Sequence, residues 1–333
     1  MFRSKFRSKL RSKFGSNFFR SNPYTSDMDR SLTRSLAVLF LLLSTSLCAL
    51  ASIQGSFERT FKVTGPADLE VLTRSGDISI RSGPAGTITV RGKIHVGHDW
   101  FSGNRQAEVS EIEKNPPIRQ AGDSIHIDYL NVHDISVDYE ITAPADTKVH
   151  THSGSGDQAV EGVHASLDLE SGSGDMRLRD LDGEIHLHTG SGDVEAREVS
   201  GPFTAETGSG DIRLDAKGGG DVHVHTGSGT VELRGVNGGL QAETGSGDVR
   251  VVGVQTGTWE IRAHSGNVEI ELPNEAAFDL DASTGSGEVV VGRPVTMIIQ
   301  GRVREARRSV NGKVGGGGPR LTIHMGSGDV RIN

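Results

Sequence analysis

The chain has 333 residues, 45 glycines, 13 histidines, a single cysteine and a formal net charge of −8. One cysteine excludes an internal disulfide framework and any multi-cysteine zinc site. The acidic balance disfavours nucleic acid and anionic lipid as partners.

Residues 1–27 form a basic low-complexity leader built from FRSK, FRSK and LRSK. A translation start at Met28, an extended n-region or a nucleic-acid-binding arm would each account for it, and export argues against the arm. Residues 28–51 read as a signal peptide: Arg30 and Arg34 precede the apolar run LAVLFLLLSTSLCALA, which closes on Ala49-Leu50-Ala51. That run is shorter than the roughly 20 residues a membrane-spanning helix needs. Leu47 stands before Cys48, where a lipoprotein signal needs a small residue. Cleavage after Ala51 then predicts an exported chain with no remaining membrane span, in the periplasm, on the cell surface or secreted. Residues 1–51 hold nine Lys/Arg and two Asp/Glu, a net of +7, so the rest carries −8 − 7 = −15.

Residues 52–150 carry alternating apolar positions: Leu69, Val71, Ile78 and Ile80 around Ser75-Gly76-Asp77, then Ile88, Val90, Ile94 and Val96. Period-two alternation marks a strand with one buried face. The pattern stops at 97–121, which is expected as a loop excursion containing Trp100, Phe101 and Asn115-Pro116-Pro117. It resumes with Ile125, Ile127 and Tyr129, then Ile135, Val137, Tyr139 and Ile141, and Pro144 closes the region. No helical period is visible anywhere in 52–333.

Residues 151–292 repeat one unit. Gly-Ser-Gly-Asp occurs at 154–157, 172–175, 190–193, 208–211 and 245–248, and again at 326–329. Degenerate copies end at Thr230, Asn267 and Glu288. From Asp157 to Glu288 the steps are 18, 18, 18, 19, 18, 19 and 21 residues, a short fixed period that signals stacked coils. In residues 185–202 the apolar parity changes at Gly192-Asp193, so each coil is two short strands with a tight turn between them. The same template fits every coil through Val291 and includes Val254. The fold class predicted is all-β, a parallel β-solenoid or flattened two-sheet β-helix of about 18 residues per coil, stacked at about 4.8 Å. The pairs Thr189/Ser191, Thr207/Ser209, Thr226/Ser228 and Thr244/Ser246 are expected to face inward as hydroxyl ladders. Residues 293–333 are expected to form an Asn311-Gly312 hairpin, a Gly-rich loop and a final capping coil, after an Arg302, Arg304, Arg307 and Arg308 cluster.

Stacking aligns equivalent residues into columns. One outward column reads His152, Glu170, His188, Glu206, His225, Glu243 and Arg262; another reads Arg177, Glu195, Arg213, Glu232, Arg250 and Glu269. Both alternate in charge type, which avoids like-charge neighbours. The exception is the column Asp157, Asp175, Asp193, Asp211 and Asp248, which needs amide donors or cations to offset it. Calcium at Asp175, Asp193 and Asp211 is one candidate. Zinc at His186 and His188 with Asp168 and Glu170 is another, since imidazole and carboxylate together suit that ion; the competing account is a His–carboxylate salt-bridge ladder. Trp100 and Phe101 are candidates for carbohydrate or protein contact, or for capping the N-terminal coil. No catalytic constellation and no cofactor motif stands out.

Glu58-Arg59-Thr60-Phe61, Ser75-Gly76-Asp77-Ile78, Asp138-Tyr139-Glu140-Ile141, the serial Thr-Gly-Ser-Gly-Asp turns and the closing Gly-Gly-Pro-Arg-Leu…Gly-Ser-Gly-Asp-Val-Arg-Ile resemble the bacterial adhesin-like domains of unknown function, over about 57–333. The resemblance implies an exported β-solenoid and brings no catalytic residues with it. The function expected is an exported, non-enzymatic cell-envelope or surface scaffold, with an envelope component, glycan or protein as partner. A calcium- or zinc-dependent module and a carbohydrate-active β-helix enzyme are the alternatives.

Overall fold

The computed structural model describes residues 53–97, 105–297 and 308–333, all within the compact unit Ala51–Asn333. The signal segment, Trp100, Phe101, Arg302, Arg304 and Arg307 lie outside the described residues.

Alternation in the sequence becomes alternation in burial. Strand Ile185–Ser191 buries Ile185, Leu187 and Thr189 and exposes His186 and His188, and the strand after its turn, Val194–Ser200, buries Val194, Ala196 and Val199. Strands that precede the Gly-Asp turns pair with one another, in parallel and in register: Leu167 with Ile185, Ile185 with Phe203, and Phe203 with Val222. Strands that follow the turns do the same, Met176 with Val194 and Val194 with Ile212. We call these the leading and trailing ladders. The fold is all-β and solenoid-like, with every described strand in one hydrogen-bonded network.

The core lies between the inward columns. Leu167, Ile185, Phe203, Val222, Leu240, Trp259 and Leu321 form one column, and Met176, Val194, Ile212, Val231, Val249, Val268 and Val330 another, all buried. Trp259 is fully buried and donates its indole N–H to the Gly238 carbonyl at 3.0 Å, so its one polar atom is satisfied. Two of the apolar positions assigned inward are exposed. Val254 is 49% exposed because the register shifts between Arg234 and Val236, which sets Gly253 rather than Val254 opposite buried Val236. Tyr129 lies past the end of strand Ser124–Ile127, 36% exposed, and meets the His152 ring edge-on.

At both ends the order in space departs from the order in the chain. The coil of Asp68–Ser75 and Ile78–Ser82 sits between Ser124–Ile127 and Ile135–Ala143 on one side and Lys148–Ser155 and Gln158–Glu161 on the other. At the far end Arg320–Ser327 pairs with Val249–Ser265 on one edge and with Phe278–Ser286 on the other. The expected capping coil is therefore an interior one. Its two-sided pairing suits its pattern, since Leu321, Ile323, Met325, Val330 and Ile332 are all buried. Beyond Phe278–Ser286 lies Ser309–Val314, antiparallel to it and to Val295–Met297, which takes the outer position. Asn311-Gly312 falls in the middle of that strand and makes no turn, because pairing on both edges outweighs a local hairpin preference.

The expected loop at 97–121 contains a nine-residue helix, Gln106–Lys114. Val109 and Ile112 are its buried residues, and only three positions separate them, too little to register as a helical period. The helix covers the outermost trailing strand, Ile53–Lys62. Glu113 Oε1 accepts the Ser56 N–H at 2.9 Å, and the Arg59 guanidinium donates to the carbonyls of Glu113 and Lys114 at 2.8 Å.

Candidate functional site

The turns stack into a side-chain-to-backbone ladder. Each chain bend leaves an N–H pointing along the stack, and the aspartate of the neighbouring coil reaches it. Asp138 Oδ1 accepts the Asp77 N–H at 3.0 Å and Asp77 accepts from Asp157 at 2.9 Å. Asp157 accepts from Asp175 at 3.0 Å, Asp175 from Asp193 at 3.0 Å and Asp193 from Asp211 at 2.8 Å. Asp211 accepts from Thr230 at 2.8 Å, where the carboxylates pause. Asp248 resumes with the Asn267 N–H at 2.8 Å, Asn267 takes Asp329 at 3.2 Å, and Asp329 takes Glu288 at 3.1 Å. Arginine meets the second carboxylate oxygens: Arg177 bridges Asp157 and Asp175 at 2.8 Å each, and Arg213 reaches Asp211 at 2.6 Å. The Arg177 hydrogen bond holds the Asp157 carboxyl below the usual range, against a burial effect that would raise it. Amide donors and guanidiniums together thus offset the acidic column.

Beneath the turns one inward column, Ser153, Ser171, Thr189, Thr207, Thr226 and Thr244, is buried, and the serine two places later is not. Thr189 donates to the Gly174 carbonyl at 3.3 Å, Thr207 to Gly192 at 3.1 Å, Thr226 to Gly210 at 3.0 Å and Thr244 to Gly229 at 3.2 Å. Ser191, Ser209, Ser228 and Ser246 are exposed, so of each expected Thr/Ser pair only the threonine faces inward. Alternation in burial ends at the first glycine, although the strand runs on to the serine. The second glycine is required by contact: a Cβ on Gly192 would lie 2.1 Å from the Gly174 carbonyl oxygen.

The outward face of the leading ladder is rich in histidine. His152 meets Glu170 at 2.9 Å, His150 meets Asp168 at 3.1 Å, His188 meets Glu206 at 3.6 Å and His225 meets Glu243 at 3.8 Å. His126 pairs with Glu70 at 2.7 Å, and His186 with Glu184 at 3.1 Å. Of the zinc candidates, Asp168 stands in register between His150 and His186, and Glu170 between His152 and His188. Of the calcium candidates, Asp175, Asp193 and Asp211 each give one oxygen to a backbone N–H. Among the described residues, no three His, Cys, Asp or Glu side chains are grouped to hold a metal ion.

The outward face of the trailing ladder carries arginine and carboxylate. Hydrogen bonds or ion pairs join Arg91 to Glu58, Lys93 to Glu140, Arg197 to Glu195, Arg234 to Glu232 and Arg250 to Glu271. Glu140 is held below the usual carboxylate range by its Lys93 hydrogen bond, and the Arg91 and Arg250 guanidiniums are pushed up by Glu58 and Glu271. Under this face the Tyr139 phenol is pushed above its ordinary range by burial. A shallow recess of about 250 Å³ opens over Ser79 and Ala159. Sequence reasoning found the alternation in this face but not the recess, whose signal is the small residue two places after the turn in two neighbouring coils.

The family model described as Toastrack DUF4097 matches residues 59–225 and 203–333. A comparison with curated proteins finds no match. Among solved structures, a provisionally described adhesin from Bacteroides fragilis shares 12% identity, covering 84% of this chain and 96% of its own, with a TM-score of 0.34. A provisionally described cell adhesion protein from Clostridium sporogenes shares 13% identity, covering 83% and 98%, with a TM-score of 0.21. A third, a provisionally described adhesin from Parabacteroides distasonis, shares 9% identity, covering 84% and 97%, with a TM-score of 0.23.

Proposed function

The chain belongs to the Toastrack DUF4097 family, and from that premise we propose that it is an exported, non-enzymatic scaffold of the cell envelope or surface that binds an envelope component along its strand faces. Its architecture in this reading is a flattened, two-sheet parallel β-solenoid of about 18 residues per coil, released from its signal peptide after Ala51. The observation that carries the reading is register. Leu167, Ile185, Phe203 and Val222 are aligned by continuous pairing, so their outward neighbours Asp168, His186, Thr204 and His223 are aligned too. A rigid, periodic surface of this kind loses little conformational freedom when it meets an extended partner. The outward carboxylates support a non-catalytic role. Asp157, Asp175 and Asp211 are held by arginine and Glu170 by histidine, whereas glycoside hydrolysis needs two carboxyls left available across one bond.

Two measurements test the reading. N-terminal sequencing of the exported protein is expected to begin at Ser52. Co-sedimentation with isolated envelope polysaccharide and sacculus fractions is expected to retain the protein, and a chain left in the supernatant of every fraction would refute the binding role.

A further inference from the structure

We propose that the trailing-ladder face around Arg179 and Arg197 binds an acidic polysaccharide through the carboxylates of its uronate sugars. The inference rests on the binding role above and names the chemistry of its partner.

The first observation is a break in charge order. Two residues after each turn the column reads Arg177, Glu195, Arg213 and Glu232, with unlike neighbours throughout. Four residues after each turn it reads Arg81, Glu161, Arg179, Arg197, Asp215 and Arg234, and there Arg179 lies directly beside Arg197. Two arginines paired in register on strands about 4.8 Å apart are like charges side by side, which repel each other. The columns of strand residues otherwise avoid this arrangement and keep it once; Glu195 holds Arg197, and an anion beside Arg179 would relieve what remains.

The second observation is incomplete pairing. Arg177 is tied to two aspartates at 2.8 Å, but Arg179 approaches Glu198 only to 3.8 Å and Arg81 approaches Glu161 only to 3.8 Å, beyond hydrogen-bond distance. Their side chains are 64% and 71% exposed, so forked donors face solvent. The planar fork of arginine matches a carboxylate with two parallel hydrogen bonds.

The third observation is space. Ser79 and Ala159 stand where later coils carry Arg177 and Glu195, and the recess of about 250 Å³ they leave is bordered by Arg81, Arg179, Arg197 and Glu161. The mixture of charges selects the class of polymer. A dense polyanion would meet Glu161, Glu195 and Asp215 as well as the arginines, on a chain whose residues 52–333 carry a net −15. A uronate chain carries one carboxylate per sugar and several hydroxyls, so its carboxylates can seat on arginine while its hydroxyls donate to the glutamates.

Calorimetry with oligogalacturonate tests this on the exported full chain, with the methyl-esterified oligomer, the same backbone without charge, as the matched control and polyphosphate as a dense polyanion. Oligogalacturonate is expected to bind, and the ester and polyphosphate at least tenfold more weakly. Replacing both arginines, Arg179→Gln with Arg197→Gln, is expected to weaken binding at least tenfold without lowering Tm. Arg331→Gln, on the same face near the far end, is expected to leave affinity unchanged. Equal affinity for polyphosphate, or a double variant that binds as tightly as the parent, would overturn the assignment. Absence of oligogalacturonate binding would overturn it too. If envelope co-sedimentation persisted in that case, the scaffold role would stand and only the partner class would fall.

Discussion

Asp193 accepts the Asp211 N–H through its side chain and gives its own N–H to Asp175, so one residue joins three coils. Asp193→Ala strips the acceptor and is expected to lower stability by about 1 kcal/mol, a fall of about 2–4 °C in Tm. Asp193→Asn keeps the acceptor oxygen and is expected to melt within a degree or so of the parent. Equal losses in the two variants would mean that the carboxylate charge, and not the acceptor, matters. Thr230 is the natural gap in the series. Where glutamate stands two places after the turn, the turn residue is Asp193, Thr230 or Asn267, and Asn267 shows that an amide serves as acceptor without adding charge. Thr230→Asn is therefore expected to capture the Asp248 N–H and raise Tm by about 2 °C, readable by calorimetry. The Asp157 carboxyl responds to pH in a defined sense. Its folded value lies below the unfolded one, so its contribution is present above the ordinary carboxylate range and is lost as pH falls through the lower folded value. Arg177→Gln should bring Asp157 back toward that range and shift the acid-unfolding midpoint to higher pH, as followed by circular dichroism; an unmoved midpoint would contradict the assigned cause.

Strands and turns were legible in the sequence because parity is a local signal: Leu187, Thr189, Val194 and Ala196 announce the inward face without reference to any other coil. The features that were not legible depend on contacts between distant segments. Helix Gln106–Lys114 owes its place to Arg59 and to the strand it covers, and nothing in its own sequence caps its N-terminus. Five places after the turn, inside strands Met176–Asp182 and Val194–Ser200, Asp180 and Glu198 adopt positive φ, 51° and 57°, where other coils carry Gly162 and Gly235 at 73° and 71°. Neighbouring coils impose that conformation, at a cost of about 1–2 kcal/mol per residue for an L side chain. At this scale Arg59→Ala is expected to fray the helix by removing the cap on its last carbonyls. Amides 112–115 should then exchange several-fold faster while those of 185–251 are unaffected. Uniform acceleration across the chain would show that the helix is not a separate local unit.

Across the whole unit, each strand is held mainly by its two neighbours, so stability propagates from coil to coil. The candidate faces were half visible beforehand, since the alternating columns follow from the repeat, whereas Arg179 beside Arg197 stands out only once the registers align the residue four places after each turn. Truncation after Gly292 tests the interleaved end. It removes the partner lying between Val249–Ser265 and Phe278–Ser286, so residues 259–291 are expected to lose exchange protection while 148–251 keep theirs. Continued protection of 278–286 would mean that the two strands can meet directly.

That interleaving constrains the moment at which the molecule can finish folding. A chain that emerges from its N-terminus can assemble its middle storeys as they appear. Phe278–Ser286 must wait, because its berth is created by a segment synthesised some forty residues later. Until the tail arrives, an amphipathic strand stands ready with no place to settle. The natural guardian of that interval is whatever holds the emerging chain, and a chaperone that grips unpaired strands would act on this stretch before any other.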